Sequence, residues 1–408
     1  MANDLTASYP ELWSRRMQLL QHKSPIYQKL ASLEEREAVS VGDTVHRPYR
    51  SMLSVNSLGT DGSYTVQDIT DTDETLLIAT EKETAFQVKD TVPLFSKYHT
   101  LTKTGNEYAD DQSRVLHNYV DADFLNNMVS AAGGTLTTVT LSTSNVVAQF
   151  GDAIQKLSEQ SNRNDLMSAG LWAVLSPAYY NILTQATSNR ATTMGDKVYE
   201  NGFMQNMFGF DIYSSMSLPH KATLALATQP TAGDTVTYDG VTFTFVAAIG
   251  VTPGNVLIAG AVDGTRANLV ALVNAPGTTT ANGVALSDTA PGYNQLSPRK
   301  KFAQFITATN NDSTNVAVFT KIGGNRVTVS ETLTDGTDTW TAALQLQYNI
   351  FGFGKPTDMV MKRSPMVKIK EVSGKLALDF VASTVYGIKT FAEGATHIVV
   401  APIRTDAM

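Results

Sequence analysis

The sequence predicts an α+β chain built around two long helices, with a separate β-rich domain inserted in its second half. Three observations predict it. Leu116, Val120, Phe124 and Met128, and again Val146, Phe150, Ile154 and Leu157, recur at the spacing that lines one face of a helix. Runs of β-branched and aromatic residues, broken by the turn signals Gly59-Thr60-Asp61-Gly62 and Asp239-Gly240, mark hairpins before and after those helices. From Lys221 to Trp340 the composition shifts to Thr, Val, Gly and Asn, and basic residues thin out apart from Arg299-Lys300-Lys301.

Taken in order, the first forty residues read as two short amphipathic helices. Leu12, Arg16, Leu19 and Leu20 mark the first. Ser24-Pro25 opens the second as a cap followed by proline at the first helical position, with Ile26, Tyr27, Leu30 and Leu33 at helical spacing. Such an arm has little surface of its own to bury, so its stripes are expected to pack on another element or subunit. Val45 to Val92 is β-prone, including Tyr64-Thr65-Val66 and Thr75-Leu76-Leu77-Ile78, and reads as one long hairpin. A hairpin with no helix beside it is marginal in water, so a neighbouring subunit is its expected support.

Tyr108 to Ala132 is predicted helical, with Asp110 and Asp111 favouring its positive end and Gly133-Gly134 closing it. A second helix is predicted over Asn145 to Asn162, with Asp152, Lys156 and Glu159 facing water. Leu171 to Leu175 reads as a short apolar strand, and Ser176-Pro177 starts a helix running through Leu183 and Gln185. In the inserted segment, Thr235 to Tyr238 and Val241 to Phe245 flank Asp239-Gly240 as a hairpin. Thr265 to Asn274 reads as a helix capped by Thr265, with Leu269, Leu272 and Val273 on one side. Further strands at Ile306 to Ala308, Val316 to Phe319 and Val327 to Val329 suggest a small sheet packed by one helix. After Trp340, strands at Met366 to Val372, Leu376 to Tyr386 and His397 to Ile403 are expected to complete the first core.

Composition narrows function mainly by exclusion. At 408 residues with 42% hydrophobic and 17% charged residues, the chain is expected to fold as more than one compact unit. A net charge of -7 has the wrong sign for holding nucleic acid by phosphate neutralisation. The absence of cysteine removes disulfides, thiolate metal sites and thiol nucleophiles. Neither a signal peptide at Met1 to Pro10 nor an apolar run of membrane-spanning length is legible, so no membrane partner is expected.

No constellation points to catalysis. His22, His46, His99, His117, His220 and His397 stand singly, without the helical i, i+4 pairing that metal binding uses. Asp68, Asp71, Asp73 and Glu74 cluster without the glycine turn of a calcium loop, and read as a solvated hairpin edge that discourages wrong pairing. Phe351-Gly352-Phe353-Gly354-Lys355 lacks the first glycine and the Ser or Thr of a phosphate-binding loop, and reads as a turn. Arg299-Lys300-Lys301 beside Phe302 reads as a solvated loop, too little for a nucleic-acid site. No catalytic, cofactor-binding or metal-binding residue is therefore assigned.

Three stretches carry a family resemblance. "LSEQSNRND" leading into "LWAVLSPAYYNIL" within Asn145 to Leu183 is similar to a helix, linker, strand, proline and helix. "GFMQNMFGFDIYSSMSLP", Gly202 to Pro219, and "STVYGIKTF", Ser383 to Phe391, follow in the same order. Together with the arm, hairpin and long helix, they resemble the major capsid proteins of tailed bacteriophages, the Hong Kong ninety-seven fold. The segments Gly233 to Val246, Asn268 to Ala275 and Gly324 to Thr332 resemble a small module of other phage virion proteins.

The resemblance implies an N-terminal arm at 1–44, an extended hairpin (the E-loop) at 45–92 and a peripheral domain with its spine helix at 93–144. It further implies an axial domain at 145–220, an inserted β-rich domain at 221–340, an axial return at 341–370 and peripheral return strands at 371–408. The implied function is a non-enzymatic coat that self-assembles as pentamers and hexamers into an icosahedral head, built in the host cytoplasm and located in the virion. Its implied partners are copies of itself, a separate scaffolding protein (expected because the sequence opens directly on its short arm), a portal, decoration proteins and the enclosed double-stranded DNA. The competing reading is a tail, decoration or host-surface-binding virion protein built around the inserted module.

Overall fold

The structure is a computed structural model that describes residues 23–33, 44–89, 101–188, 206–293, 295–324, 326–372 and 374–405, the side chains of 101–109, 167 and 343 aside. The helix expected around Leu12 to Leu20 lies outside the described residues.

The strand Leu346–Phe353 is the centre of a nine-stranded sheet. Ile398–Arg404 pairs antiparallel along its length, from Leu346↔Arg404 to Gly352↔Ile398. Its other side takes Leu171–Leu175 along the second half and His220–Lys221 at the start. Phe210–Ser214 then adds parallel to Leu171–Leu175. Both faces of this sheet are covered, which is why Leu171–Leu175 reads as an unbroken apolar run. Leu171, Ala173 and Leu175 pack into one core with Phe150, Tyr179, Phe210 and Phe351, while Trp172 and Val174 pack into another with Phe124 and Met128. Ile398–Arg404 was expected among the peripheral return strands. It belongs instead to this central sheet, because Val399, Ala401 and Ile403 complete the first of these cores.

Helix Ala148–Ser161 covers that core with Phe150, Ala153 and Leu157 and turns Asp152 and Glu159 to solvent. It ends at Asn162, whose φ of 51° is the left-handed cap that asparagine tolerates. Pro177 begins the next helix, Pro177–Ser188, and the Ser176 hydroxyl accepts the Tyr179 N–H at 3.2 Å, a cap of the expected kind.

The long helix Leu101–Ala131 has 31 residues and spans about 46 Å at its usual rise. It buries Leu116, Val120, Phe124 and Met128 as the spacing predicts. It also starts earlier than predicted, which leaves Asp110 and Asp111 well inside it and away from its positive end. Its polar residues tie down the elements that cross it. Asp121 accepts the N–H groups of Ile26 and Tyr27 at 2.6 and 2.9 Å, Gln112 donates to the carbonyls of Thr84 and Phe380, and Asp123 accepts the Tyr386 hydroxyl at 2.7 Å. The short helix Tyr27–Leu30 is therefore capped from another element and not by Ser24-Pro25, and its apolar residues pack on the long helix of the same chain.

A four-stranded sheet crosses this helix in the order Ala31–Ser32, Thr357–Glu371, Ala377–Lys389, Thr80–Lys89. Thr80–Lys89 was expected inside the hairpin at 45–92. It pairs instead with Ala377–Lys389, where Phe86 stacks on Phe380 at 4.8 Å. The hairpin proper joins Thr44–Arg50 to Asp71–Leu77. Its base buries Val45, Leu76 and Ile78 against Val360 and Phe391.

Gly387 lets the base approach, since a Cβ there would lie 2.6 Å from the Leu77 carbonyl and 3.0 Å from the Leu76 side chain. Gly387→Ala is expected to cost about 1–3 kcal/mol through this overpacking, read as a lowered midpoint in chemical denaturation.

The segment between Ala222 and Trp340 closes a core of its own, in which Tyr238, Phe243, Phe302, Phe319 and Trp340 pack together. Thr235–Tyr238 and Val241–Val246 form the predicted hairpin, with positive φ at both Asp239 and Gly240. The prediction of one small sheet and one helix needs correction. Asn255–Leu257 and Val329–Glu331 complete a four-stranded sheet, but Ile306–Asn311, Val316–Lys321 and His220–Ala225 extend the nine-stranded one. Two helices cover them, Val262–Asn274 and Pro298–Phe305. Thr265 is not a cap. It sits one turn inside the first helix, where its hydroxyl accepts the Ala259 N–H at 2.9 Å. Buried Arg266 donates to the Leu226 carbonyl, Asn310, Asp263 and Asp312, so its charge is fully paired.

Candidate assembly surfaces

The hairpin projects because only its base is paired. Beyond Arg50↔Asp71, the strands are joined by Ser51 N–H to Thr70 carbonyl at 3.0 Å and by the Gln67 amide, which bridges to the backbone of Ser54. Tyr64-Thr65-Val66 therefore lies outside any strand ladder, contrary to the sequence expectation. The tip is shaped at Gly59 to Ser63. Gly62 has a φ of 80°, and the Asp61 carboxylate accepts from the N–H and hydroxyl of Ser63, which holds its pKa below the usual carboxylate range. Residues Ser51 to Thr60, extended, reach at most about 35 Å.

This reach is apolar. Met52, Leu53, Val55, Leu58, Tyr64, Val66 and Ile69 are all exposed, Met52 at 92% and Val55 completely. Single exposed apolar residues are ordinary, but seven within residues 51–70 make this arm a candidate surface for a partner.

A second projection is the far half of the pair Thr357–Glu371 and Ala377–Lys389. Met366, Ile369 and Leu376 are exposed there among Lys362, Arg363, Lys368, Lys370 and Lys375, with Glu371 the one acidic side chain among residues 362–375. The register shifts between Met361 and Met366 mark irregular pairing at the start of this half, which Thr80–Lys89 accompanies along Ala377–Lys389. The arm tip carries Asp61 and Asp68, so the two projections are opposite in charge.

The residues singled out in sequence do not converge. His46 meets Asp73 at 2.6 Å, His117 the Tyr27 hydroxyl at 2.8 Å, His220 the Gln347 amide at 3.0 Å, and His397 the ring of Phe353 at 4.2 Å. His22 and His99 lie outside the described residues. Asp71 faces Arg50, Asp73 meets His46 and Glu74 accepts the Ala392 N–H, so these three acidic side chains pair within the chain. Among the described residues no three His, Asp or Glu side chains gather where a metal ion could sit. Phe351 to Phe353 belong to the central strand and Gly354, with a φ of 62°, makes the turn. Arg299-Lys300-Lys301 lies on the helix Pro298–Phe305 and not in a loop, because Ser297 caps it; Lys301 reaches the Asp239 carboxylate at 3.3 Å. No described helix is long and apolar enough to cross a membrane.

His220 has a consequence for stability. Burial, with Lys321 and Arg326 adding repulsion, holds its pKa down at about 3, against 6.5 for the free side chain. Below pH 6.5 the unfolded chain therefore binds a proton that the folded chain refuses, so stability falls as pH drops from 6.5 toward 3. Between pH 7 and pH 5 this loss is about 2 kcal/mol; it is expected to be missing from His220→Gln, and so to appear as the difference between parent and variant in paired denaturation curves.

No protein-family model and no curated protein matches the sequence. Among solved structures, a chain of Mycobacterium phage Che8 is similar over 100% of this chain and 99% of its own, with 14% identity and a TM-score of 0.57. A chain from the asymmetric unit of the bacteriophage PhiM1 mature capsid covers 97% of this chain and 92% of its own, at 6% identity and a TM-score of 0.53. One from the Cyanophage Pam1 capsid asymmetric unit covers 100% of each, at 8% identity and a TM-score of 0.52. The chain thus has, over essentially its whole length, the fold of chains found in phage capsids.

Proposed function

We propose that this chain is the major coat protein of a tailed bacteriophage, a non-enzymatic subunit whose work is self-assembly into a shell. The observation that carries this reading is the end-to-end agreement with chains of the PhiM1 and Pam1 capsids. The apolar arm supplies the mechanism. Each subunit lays its hairpin on a neighbour, and the basic far half of the neighbour's Thr357–Glu371 strand pair receives it, matching charge and burying apolar side chains. Contacts of this head-to-tail kind close into rings, here pentamers and hexamers, that tile an icosahedral head around the packaged DNA.

In this reading the Hong Kong ninety-seven elements map as follows. The E-loop is the hairpin of 44–77, and the peripheral domain is the long helix with its four-stranded sheet. The axial domain is the central sheet with its two covering helices, and 221–340 is an inserted module on it. Scaffolding, portal and decoration proteins complete the assembly, which forms in the host cytoplasm. Hydrogen exchange tests the mechanism: amides of residues 51–70 are expected to exchange freely in the unassembled chain and to become protected in particles. Equal exchange in both states would refute it.

A further inference from the structure

The base of the hairpin holds a polar clamp that burial alone does not require. Arg47 and Glu74 face each other across the two strands, at one register position. Both reach the body. The Arg47 guanidinium lies 2.8 Å from the buried carboxylate of Asp358 and 4.4 Å from the centroid of the Phe391 ring, while Glu74 accepts the Ala392 N–H at 2.8 Å. Asp358 sits on the strand that runs on into the basic projection, and Phe391 and Ala392 follow the strand that pairs with it. One residue pair of the arm is thus tied to both strands of the surface proposed to receive a neighbour's arm.

We infer that Arg47 is a positioning residue for assembly: the Arg47–Asp358–Phe391 clamp fixes the angle at which the arm leaves the body and thereby sets the curvature of the shell. The inference rests on the coat-protein reading. Its physical basis is leverage. The apolar base of Val45, Leu76, Ile78, Val360 and Phe391 is small and non-directional, so it holds the hairpin down without fixing its rotation. A guanidinium held in its plane by a ring face and by a carboxylate is directional. Beyond Arg50 an arm reaching at most about 35 Å turns a base rotation of a few degrees into a displacement of ångströms at the tip. Every subunit repeats that displacement, so it accumulates into a change of ring tilt.

The test uses the full chain under conditions in which the parent forms particles, comparing Arg47→Ala, Arg47→Lys and Phe391→Leu. Thermal unfolding and hydrogen exchange of the unassembled chains come first. Arg47→Ala is expected to fold, with exchange at residues 44–50 and 71–77 about tenfold faster, a change a fully formed ladder would otherwise resist. Particle diameters are then measured by electron microscopy. Arg47→Ala is expected to broaden the distribution or give open sheets, Phe391→Leu to broaden it less, and Arg47→Lys, which keeps the charge on Asp358 without the planar fork, to fall between Arg47→Ala and the parent. Arg47→Ala particles with the parent's diameter distribution would overturn the inference and leave the coat-protein reading intact. Arg47→Lys particles indistinguishable from the parent's would overturn it as well, because a charge without the planar fork would then suffice. A parent chain that forms no shell under any condition overturns both.

Discussion

Replacing Val55 and Val66 by aspartate is expected to leave unfolding of the isolated chain unchanged and to abolish its assembly into shells. Both side chains stand on the arm with no intrachain core to lose, Val55 being wholly exposed and Val66 78% exposed. Surface substitutions of this kind change stability by no more than about 0.5 kcal/mol. At an interface the balance reverses. Burying the two valines contributes about 1.5–3 kcal/mol each, and an aspartate placed there adds the cost of an unpaired charge taken out of water. In the proposed ring each subunit both offers and receives an arm, so every contact would carry the loss. Sedimentation velocity together with denaturation curves checks both halves. The conservative double replacement by isoleucine is expected to assemble normally, and aspartate variants that still assemble would remove the arm from the mechanism.

Phe351→Ala is expected to have the largest effect on folding. Phe351 lies on the central strand of the nine-stranded sheet, with ring centroids of Phe150, Phe210 and Tyr179 at 5.2, 5.6 and 6.3 Å. Truncating it leaves a cavity where two helices and three strands meet. The cost is about 3–5 kcal/mol, from total stabilities that are commonly about 5–15 kcal/mol. The chain is expected to unfold at markedly lower denaturant with an unchanged slope, since the surface exposed on unfolding hardly differs. A shift corresponding to less than about 1 kcal/mol would mean that this aromatic cluster is not the core that holds the two covering helices.

Much of this fold is written locally, and that part was legible. The strand Leu171–Leu175, the Ser176-Pro177 helix start and the Asp239-Gly240 turn each follow from residues next to one another in sequence. The buried stripe of the long helix follows from spacing alone. What sequence reasoning missed depends on partners far away in the chain. Thr80–Lys89 looks like part of the hairpin because its alternation is that of any half-buried strand; only the Phe86–Phe380 stack and the ladder to Ala377–Lys389 assign it elsewhere. Ile398–Arg404, expected among the peripheral strands, is apolar on both faces, the signature of a strand sandwiched between two layers and the one local signal that could have assigned it to the central sheet.

The candidate surfaces were half legible. The Gly59 to Gly62 turn located the arm tip, and the acidic cluster was read as a solvated hairpin edge, which describes exposed Asp71 and Asp73 but not Glu74, which accepts the Ala392 N–H. Which arm residues are bare was not readable, since Tyr64-Thr65-Val66 has the composition of a paired strand and lacks only a facing partner. The basic projection had a usable sign in the spacing of Lys362, Arg363, Lys368, Lys370 and Lys375 around an exposed Met366, a charge bias that a reading by motifs passes over. The Arg47–Asp358 clamp joins residues remote in sequence, and no local pattern announces it.

Electron cryomicroscopy of the particles this chain forms tests the central claim most directly. The coat-protein account predicts closed shells of five- and six-fold rings in which residues 51–70 of each subunit lie against the strands 357–371 and 377–389 of a neighbour. Fibres, isolated small rings, or shells in which the arm projects uncovered into solvent would contradict it.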